Sequence, residues 1–235
     1  MGKKTEKSTS SEAYSEIGLA DIPSEVKFLL EKRNITELRP AQKKAINEGL
    51  FNQESILVCT PTASGKTLIA EMAALNTIFN LQGKVVYVVP LKALASEKYK
   101  EFKKDYGDKV KIALSIGDLD STDPFLASYD FIICTAEKLD SLTRHSAPWL
   151  KQVKTIIIDE IHLLNDINRG PTLEILITIM KNLVKDMQII ALSATIGNSK
   201  ELAEWLKAKL IVDNWRPVKL KKGVYYDGTI EFHES

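Results

Sequence analysis

The chain has 235 residues, 44% of them hydrophobic and 27% charged, which is enough apolar material for one large α/β domain or two small ones. A formal net charge of +1 excludes a global field that would announce a nucleic-acid partner, so any basic surface is local. No apolar run approaches the roughly 20 residues that span a bilayer, and the polar start MGKKTEKSTSSE is not a secretory signal.

Residues 1–16 read as a flexible, solvated tail, and the basic run KLKKG near Lys221 as a second solvated stretch. Helical pieces follow the tail at about 23–33 and 39–51, around ITELRP. SILVCT reads as a buried strand at about 55–60, with a helix at about 66–80. GKVVYVVP is a second strand, and LKALASEKYKEFKKDYG an amphipathic helix with Gly107 as its C-cap. KVKIALSIG and YDFIICTA are the third and fourth strands, and TAEKLDSLTRH is helical. VKTIIIDE is the fifth strand. PTLEILITIMKNLVKD is a helix with proline in its first turn and a broad apolar face, expected to be well buried. MQIIALSAT is the sixth strand, NSKELAEWLKA a helix capped by Asn198 or Ser199, and KLIVD a short seventh strand. After DNWRP the chain reads extended.

Strands rich in Val and Ile that alternate with helices mean a mostly parallel sheet covered on both faces, an α/β fold. Cys59 and Cys134 each end an apolar run and have no neighbouring cysteine at metal-ligand spacing. They read as reduced thiols packed like small hydrophobes, in a cytosolic protein.

TPTASGKT, Thr60 to Thr67, meets the phosphate-loop pattern G-x-x-x-x-G-K-[ST] at Gly65, Lys66 and Thr67, and departs from it at Thr60. Gly65 permits close backbone approach to a phosphate, Lys66 supplies a cation, and Thr67 offers a hydroxyl to magnesium. The strand before and the helix after place free N–H groups around an anion. Thr60 bears on turn geometry and leaves the chemically active positions intact.

Asp159 and Glu160 end the fifth strand, on the edge where open α/β sheets bind ligands. One acid there can hold magnesium, and a second can orient a water. His162 stands two residues further on. Ser193 and Thr195, in SAT at the end of the sixth strand, could offer hydroxyls to Asp159 or His162.

In this order and at these separations, PTASGKT, DEIH and SAT resemble the first motor domain of a superfamily-two helicase. LRPAQ, PLKALASEK, GDLDSTD, TAEKLDSL and NWRPVKLKKGVYYDGTI sharpen the likeness to the archaeal Hjm and HelQ group of DNA helicases, in the Ski-like branch that also holds RNA helicases. The resemblance runs from about residue 17 to the end. It implies a RecA-like P-loop NTPase domain over 17–213 and an extended segment over 214–235 leading to a second domain.

The resemblance also implies ATP and Mg2+ as ligands, with Gln42 reading the adenine edge. Thr62, Ala63, Ser64, Gly65, Lys66 and Thr67 would form the phosphate site. Thr67 and Asp159 would hold magnesium, and Glu160 would activate water. His162, Ser193 and Thr195 would couple hydrolysis to movement. Lys92, Ala93, Gly117, Asp118, Thr135 and Glu137 would grip one strand of single-stranded or forked DNA without reading its sequence.

Family helicases close ATP between two RecA-like domains, the second supplying arginines. The chain ends where that domain should begin, so it is expected to bind ATP and magnesium, hydrolyse slowly and not unwind a duplex alone. Its expected place is the cytoplasm, on the nucleoid in an archaeal cell, with no membrane partner. An RNA helicase of the same branch is one alternative, because phosphate contacts do not see the sugar. A regulatory module that binds nucleotide without catalysis is another, opposed by Lys66, Asp159 and Glu160 together.

Overall fold

The computed structural model describes residues 18–117, 123–218 and 222–233. Strands in which every residue is apolar need cover on both faces, and the chain supplies it with helices. Seven strands form one sheet: β1 (Ile56–Cys59), β2 (Lys84–Val89), β3 (Ile112–Ser115), β4 (Phe131–Thr135), β5 (Val153–Ile158), β6 (Gln188–Ser193) and β7 (Lys209–Val212). Their spatial order is β3-β4-β2-β5-β6-β1-β7, and every neighbouring pair is parallel.

Alternate residues of each strand serve opposite cores. Ile56, Val58, Val85, Tyr87 and Ile157 face one cluster, packed with α1 (Ser24–Lys32), α2 (Pro40–Asn47), α3 (Lys66–Leu81) and α4 (Lys92–Tyr106). Leu57, Cys59, Val86, Ile156 and Ile158 face the other, packed with α5 (Ala136–Arg144), α6 (Gly170–Leu183) and α7 (Ser199–Leu206). Both cysteines are buried free thiols, and burial pushes Cys134 up to about 12. The segment after β7 contains an antiparallel hairpin, β8 (Lys222–Tyr226) with β9 (Thr229–His233). No helix among the described residues is long and apolar enough to cross a membrane.

Two local expectations change, and a third, the Gly107 C-cap, is met with a different geometry. The second helix stops at Asn47, because the chain turns left-handed at Gly49 (φ 97°) before a short 3-10 turn at Leu50–Asn52. Gly107 ends α4 in a helical conformation (φ −68°) rather than a left-handed one. Glycine is needed there because a Cβ would stand 2.4 Å from the Lys103 carbonyl oxygen. α6 buries one face only, and Ile175 is 52% exposed.

Several polar groups inside the fold are matched through one network. At the amino-terminal edge of the sheet, Thr77 and Thr155 share a hydrogen bond of 2.6 Å, and Thr155 donates to Gln188 Oε1 at 3.1 Å. Gln188 Nε2 then donates to the carbonyls of Leu50 and Glu54, at 2.9 and 3.0 Å. Glu71 of α3 is fully buried and pairs with Arg33 at 2.8 Å, and Arg33 also binds Asp105 of α4.

Burial outweighs the Arg33 charge and raises the Glu71 carboxyl to about 7. An acid with a higher pKa folded than unfolded stabilises the protein fully only below its unfolded value. Relative to Glu71→Gln, the protein should therefore lose stability as pH rises from about 4.5 through about 7. Urea unfolding of both proteins across that window checks it.

Candidate active site

β1 ends at Cys59, and residues 60–65 turn the chain into α3. Ala63 (φ 64°) and Gly65 (φ 94°) are both left-handed, the alternation that turns backbone N–H groups into a concave anion site. The positive φ favours glycine at position 65, and a Cβ there would stand 2.5 Å from Gln42 Nε2 and displace that amide. Thr60 is fully buried, and its Oγ1 lies 2.6 Å from Ser64 Oγ, a bond across the loop that glycine could not make. Thr62 and Ala63 are exposed, Ser64 is buried, and Thr67 is half-buried in the first turn of α3.

Lys66 Nζ donates to the carbonyls of Thr60 and Pro61, at 2.9 and 3.4 Å. Burial lowers its pKa, while the charges of Glu160 and Asp159 oppose that shift. Both carboxylates follow β5, which β6 separates from β1, on the same edge of the sheet as Lys66.

Asp159 continues the ladder, its N–H donating to the Val88 carbonyl at 2.9 Å. Glu160 then takes a left-handed conformation (φ 53°), which costs a non-glycine residue about 1–3 kcal/mol. Asp159 Oδ1 accepts the Glu160 N–H at 3.0 Å, and Oδ2 accepts the Tyr87 hydroxyl at 2.9 Å. Burial and the Asp159 charge push the Tyr87 phenol well above its ordinary value, so it remains a donor. The turn at Glu160 is what lets neighbouring residues of one strand serve one site.

His162 Nδ1 lies 3.3 Å from Glu160 Oε2, at ion-pair distance. The imidazole also lines a cleft with Asn165, Asn198 and Trp205. Ser193 is fully buried opposite Cys59, and its carbonyl accepts the Thr60 N–H at 3.3 Å. Thr195 is exposed. Both sit at the expected edge, and among the described residues neither hydroxyl bonds to Asp159 or His162.

Gln42 is buried in the first turn of α2. Its Oε1 accepts the Arg39 N–H at 2.8 Å, and its Nε2 donates to the Gly65 carbonyl at 3.2 Å. The amide thereby ties α2 to the phosphate loop. Sequence reasoning quoted Arg39 and Trp215 without assigning them. Arg39 Nη1 donates to the Ala63 carbonyl at 2.7 Å, and its guanidinium lies 5.2 Å from the Trp215 ring centroid. Beside this contact, Asp213 pairs with Lys44 of α2 at 2.7 Å. No motif signals the Arg39–Trp215 contact, because 176 positions of chain separate its members and only folding closes the gap. Tyr87 was also missed, though a tyrosine inside a valine strand signals a hydroxyl that needs a partner.

Lys92 and Ala93 open α4, exposed, just beyond the end of β2. Gly117 is exposed after β3, and Glu137 is exposed in the first turn of α5 after β4. Thr135 is buried and caps α5, its Oγ1 accepting the Lys138 N–H at 3.4 Å. Asp118 lies outside the described residues. The described positions among these share the edge that carries Lys66 and Asp159, on the β2, β3 and β4 half of it.

Residues 39–203 match the DEAD/DEAH box helicase family. The chain belongs to that family. The matched span runs from Arg39 to Ala203 and contains every residue of the candidate nucleotide site. This DEAD/DEAH box domain is 54% identical to ATP-dependent DNA helicase Hel308 of Pyrococcus horikoshii over 214 residues, 91% of this chain and 30% of that protein. It is 55% identical to the Hel308 of Methanocaldococcus jannaschii over 211 residues, covering 87% of this chain and 17% of that one. The chain therefore spans less than a third of the curated relatives it matches. Among solved structures, the DUF1998 helicase MrfA bound to DNA and AMPPNP superimposes with a TM-score of 0.71 at 29% identity, over 83% of this chain and 29% of that one. The fold is the RecA-like α/β domain that the motifs implied.

Thr60→Val keeps the shape of the side chain, removes the bond to Ser64 and leaves both carbonyl acceptors of Lys66 in place. Urea unfolding should show a loss of about 1–3 kcal/mol, the cost of leaving a buried hydroxyl unpaired.

Proposed function

We propose that this chain carries the first motor domain of an ATP-dependent DNA helicase, which couples ATP hydrolysis to movement along single-stranded DNA and duplex unwinding in repair or replication-fork processing. The observation that carries the reading is geometric: the loop with left-handed Ala63 and Gly65 that leads into Lys66 follows β1, Asp159 and Glu160 follow β5, and parallel pairing through β6 puts both on one edge of the sheet. A loop with left-handed Ala63 and Gly65, a half-buried lysine and two carboxylates is a donor set suited to a triphosphate and a divalent cation.

In this reading the 62–67 loop and the amino terminus of α3 bind the substrate phosphates through N–H groups, and Lys66 exchanges its carbonyl partners for phosphate oxygens. Thr67 and Asp159 hold Mg2+, which supplies charge neutralisation on the phosphates when bound. Glu160 orients and deprotonates the attacking water, and His162, 3.3 Å from the Glu160 carboxylate, couples hydrolysis to movement. Gln42 carries adenine recognition at the α2 end of the loop, and Ser193 and Thr195 relay the state of the site along the edge. Lys92, Ala93, Gly117, Thr135 and Glu137, from the other half of that edge, contact the nucleic-acid backbone without base readout, and Asp118 shares that role. The names of the Hel308 relatives support DNA over RNA.

Glu160→Gln should retain ATP binding in the presence of Mg2+ and lower turnover by about 10²- to 10⁴-fold. Phosphate release and nucleotide binding measure the two separately, and turnover that survives the change removes Glu160 as the base. The assay is run without nucleic acid, with single-stranded DNA and with single-stranded RNA, in a protein carrying this chain and a second RecA-like domain. Stimulation by DNA is expected, and preferential stimulation by RNA overturns the substrate assignment.

A further inference from the structure

Tyr87 occupies the middle of β2, fully buried, opposite Ile157 of β5. Asp159 lies two residues beyond Ile157, so it projects from the same face of the sheet. A diagonal neighbour in a sheet is within reach of an aromatic side chain. The Tyr87 hydroxyl makes that reach and donates to Asp159 Oδ2 at 2.9 Å.

The ring cannot wander. It packs edge-on against Phe102 of α4, with centroids 5.4 Å apart, and against Phe131 of β4 at 6.1 Å. Phe102 and Phe131 in turn stack on each other and on Tyr106. Phenylalanine would fill the same space. A phenol in this cluster adds a polar group whose burial is unfavourable without a partner, and its partner is the carboxylate assigned to Mg2+. The other oxygen of Asp159 accepts the Glu160 N–H, so each oxygen is held from a different side and each keeps lone-pair capacity for a further ligand.

We propose that Tyr87 is a positioning residue that holds the Asp159 carboxylate in the orientation Mg2+ binding requires. The proposal rests on the nucleotide-site reading above. Tyr87 touches neither substrate nor metal. It acts as the outer-shell partners of metal-ligating side chains act, by fixing a ligand before the metal arrives.

The test uses the 235-residue chain, the fluorescent nucleotide N-methylanthraniloyl-ADP, and titration with MgCl2. Tyr87→Phe keeps the ring and removes the hydroxyl alone. Nucleotide affinity in EDTA should stay within about twofold of the parent, while the Mg2+ concentration for half-maximal tightening rises about 10-fold. Phe102→Leu loosens the same cluster and leaves the hydroxyl bond, so it should lower unfolding stability without moving the Mg2+ response. In an Asp159→Asn background, Tyr87→Phe should change the Mg2+ response no further. An unchanged Mg2+ response in Tyr87→Phe overturns the proposal, and so does an equal shift in Phe102→Leu. A parent chain that binds no nucleotide overturns the nucleotide-site reading itself, a result distinct from either.

Discussion

Seven strands running the same way must all end on the same edge, and the molecule's candidate chemistry depends on that constraint. Parallel pairing sends every strand-to-helix turn to the carboxyl edge. Residues far apart in the chain are therefore delivered to one strip of surface: the loop after β1, the acids after β5, the hydroxyls after β6, and the exposed openings of α4 and α5. The strand order divides that strip. β1, β6 and β5 carry the candidate nucleotide groups, while β2, β4 and β3 carry the candidate backbone-gripping groups. β2 and β5 are neighbours, so the two halves meet where Tyr87 reaches Asp159.

Within the strip, backbone conformations that only local contacts can hold do the fine placement. Ala63 and Glu160 are non-glycine residues in left-handed turns, and each is held by an identifiable bond. The Ala63 carbonyl accepts from Arg39, and the Glu160 N–H donates to Asp159. Strain kept at a site by its surroundings is a sign of pre-organisation. The same holds for charge. Lys66 is half-buried and held by two carbonyls of its own loop, so the site keeps its cation close at hand instead of drawing it from solvent.

Outside the strip, buried charge serves architecture. Glu71 is tied through Arg33 to Asp105, which links α3, the end of α1 and α4. Lys138 of α5 is almost fully buried and lies 3.1 Å from Asp123, fastening that helix to the segment after β3. Such pairs are weak evidence of net stability, because removing charge from water is costly. Their effect is geometric: they fix which helices lie together on each face of the sheet.

The sequence by itself determined the class of fold and the seven strands, and it marked the G-K-T loop and the acid pair as candidates, because each is written in local pattern. Apolar runs of four to six residues are legible as buried strands, and G-K-T between a strand and a helix is legible as an anion site. The ends of elements were mostly legible, Gly107 after α4 among them, but not the end of α2, where the left-handed turn at Gly49 stops the helix at Asn47. Tertiary structure alone decided what those patterns could not encode. Thr60 proved to be a cross-loop hydrogen-bonding residue, Gln42 a tie between α2 and the loop, and Thr135 a helix cap. Arg39 and Trp215, and likewise Tyr87 and Asp159, meet across long stretches of chain. The physical reason is one of range. Strand and loop signals arise from neighbours in sequence, whereas the partner of a buried polar group is set by which strands lie side by side, and that order is fixed only when the sheet assembles.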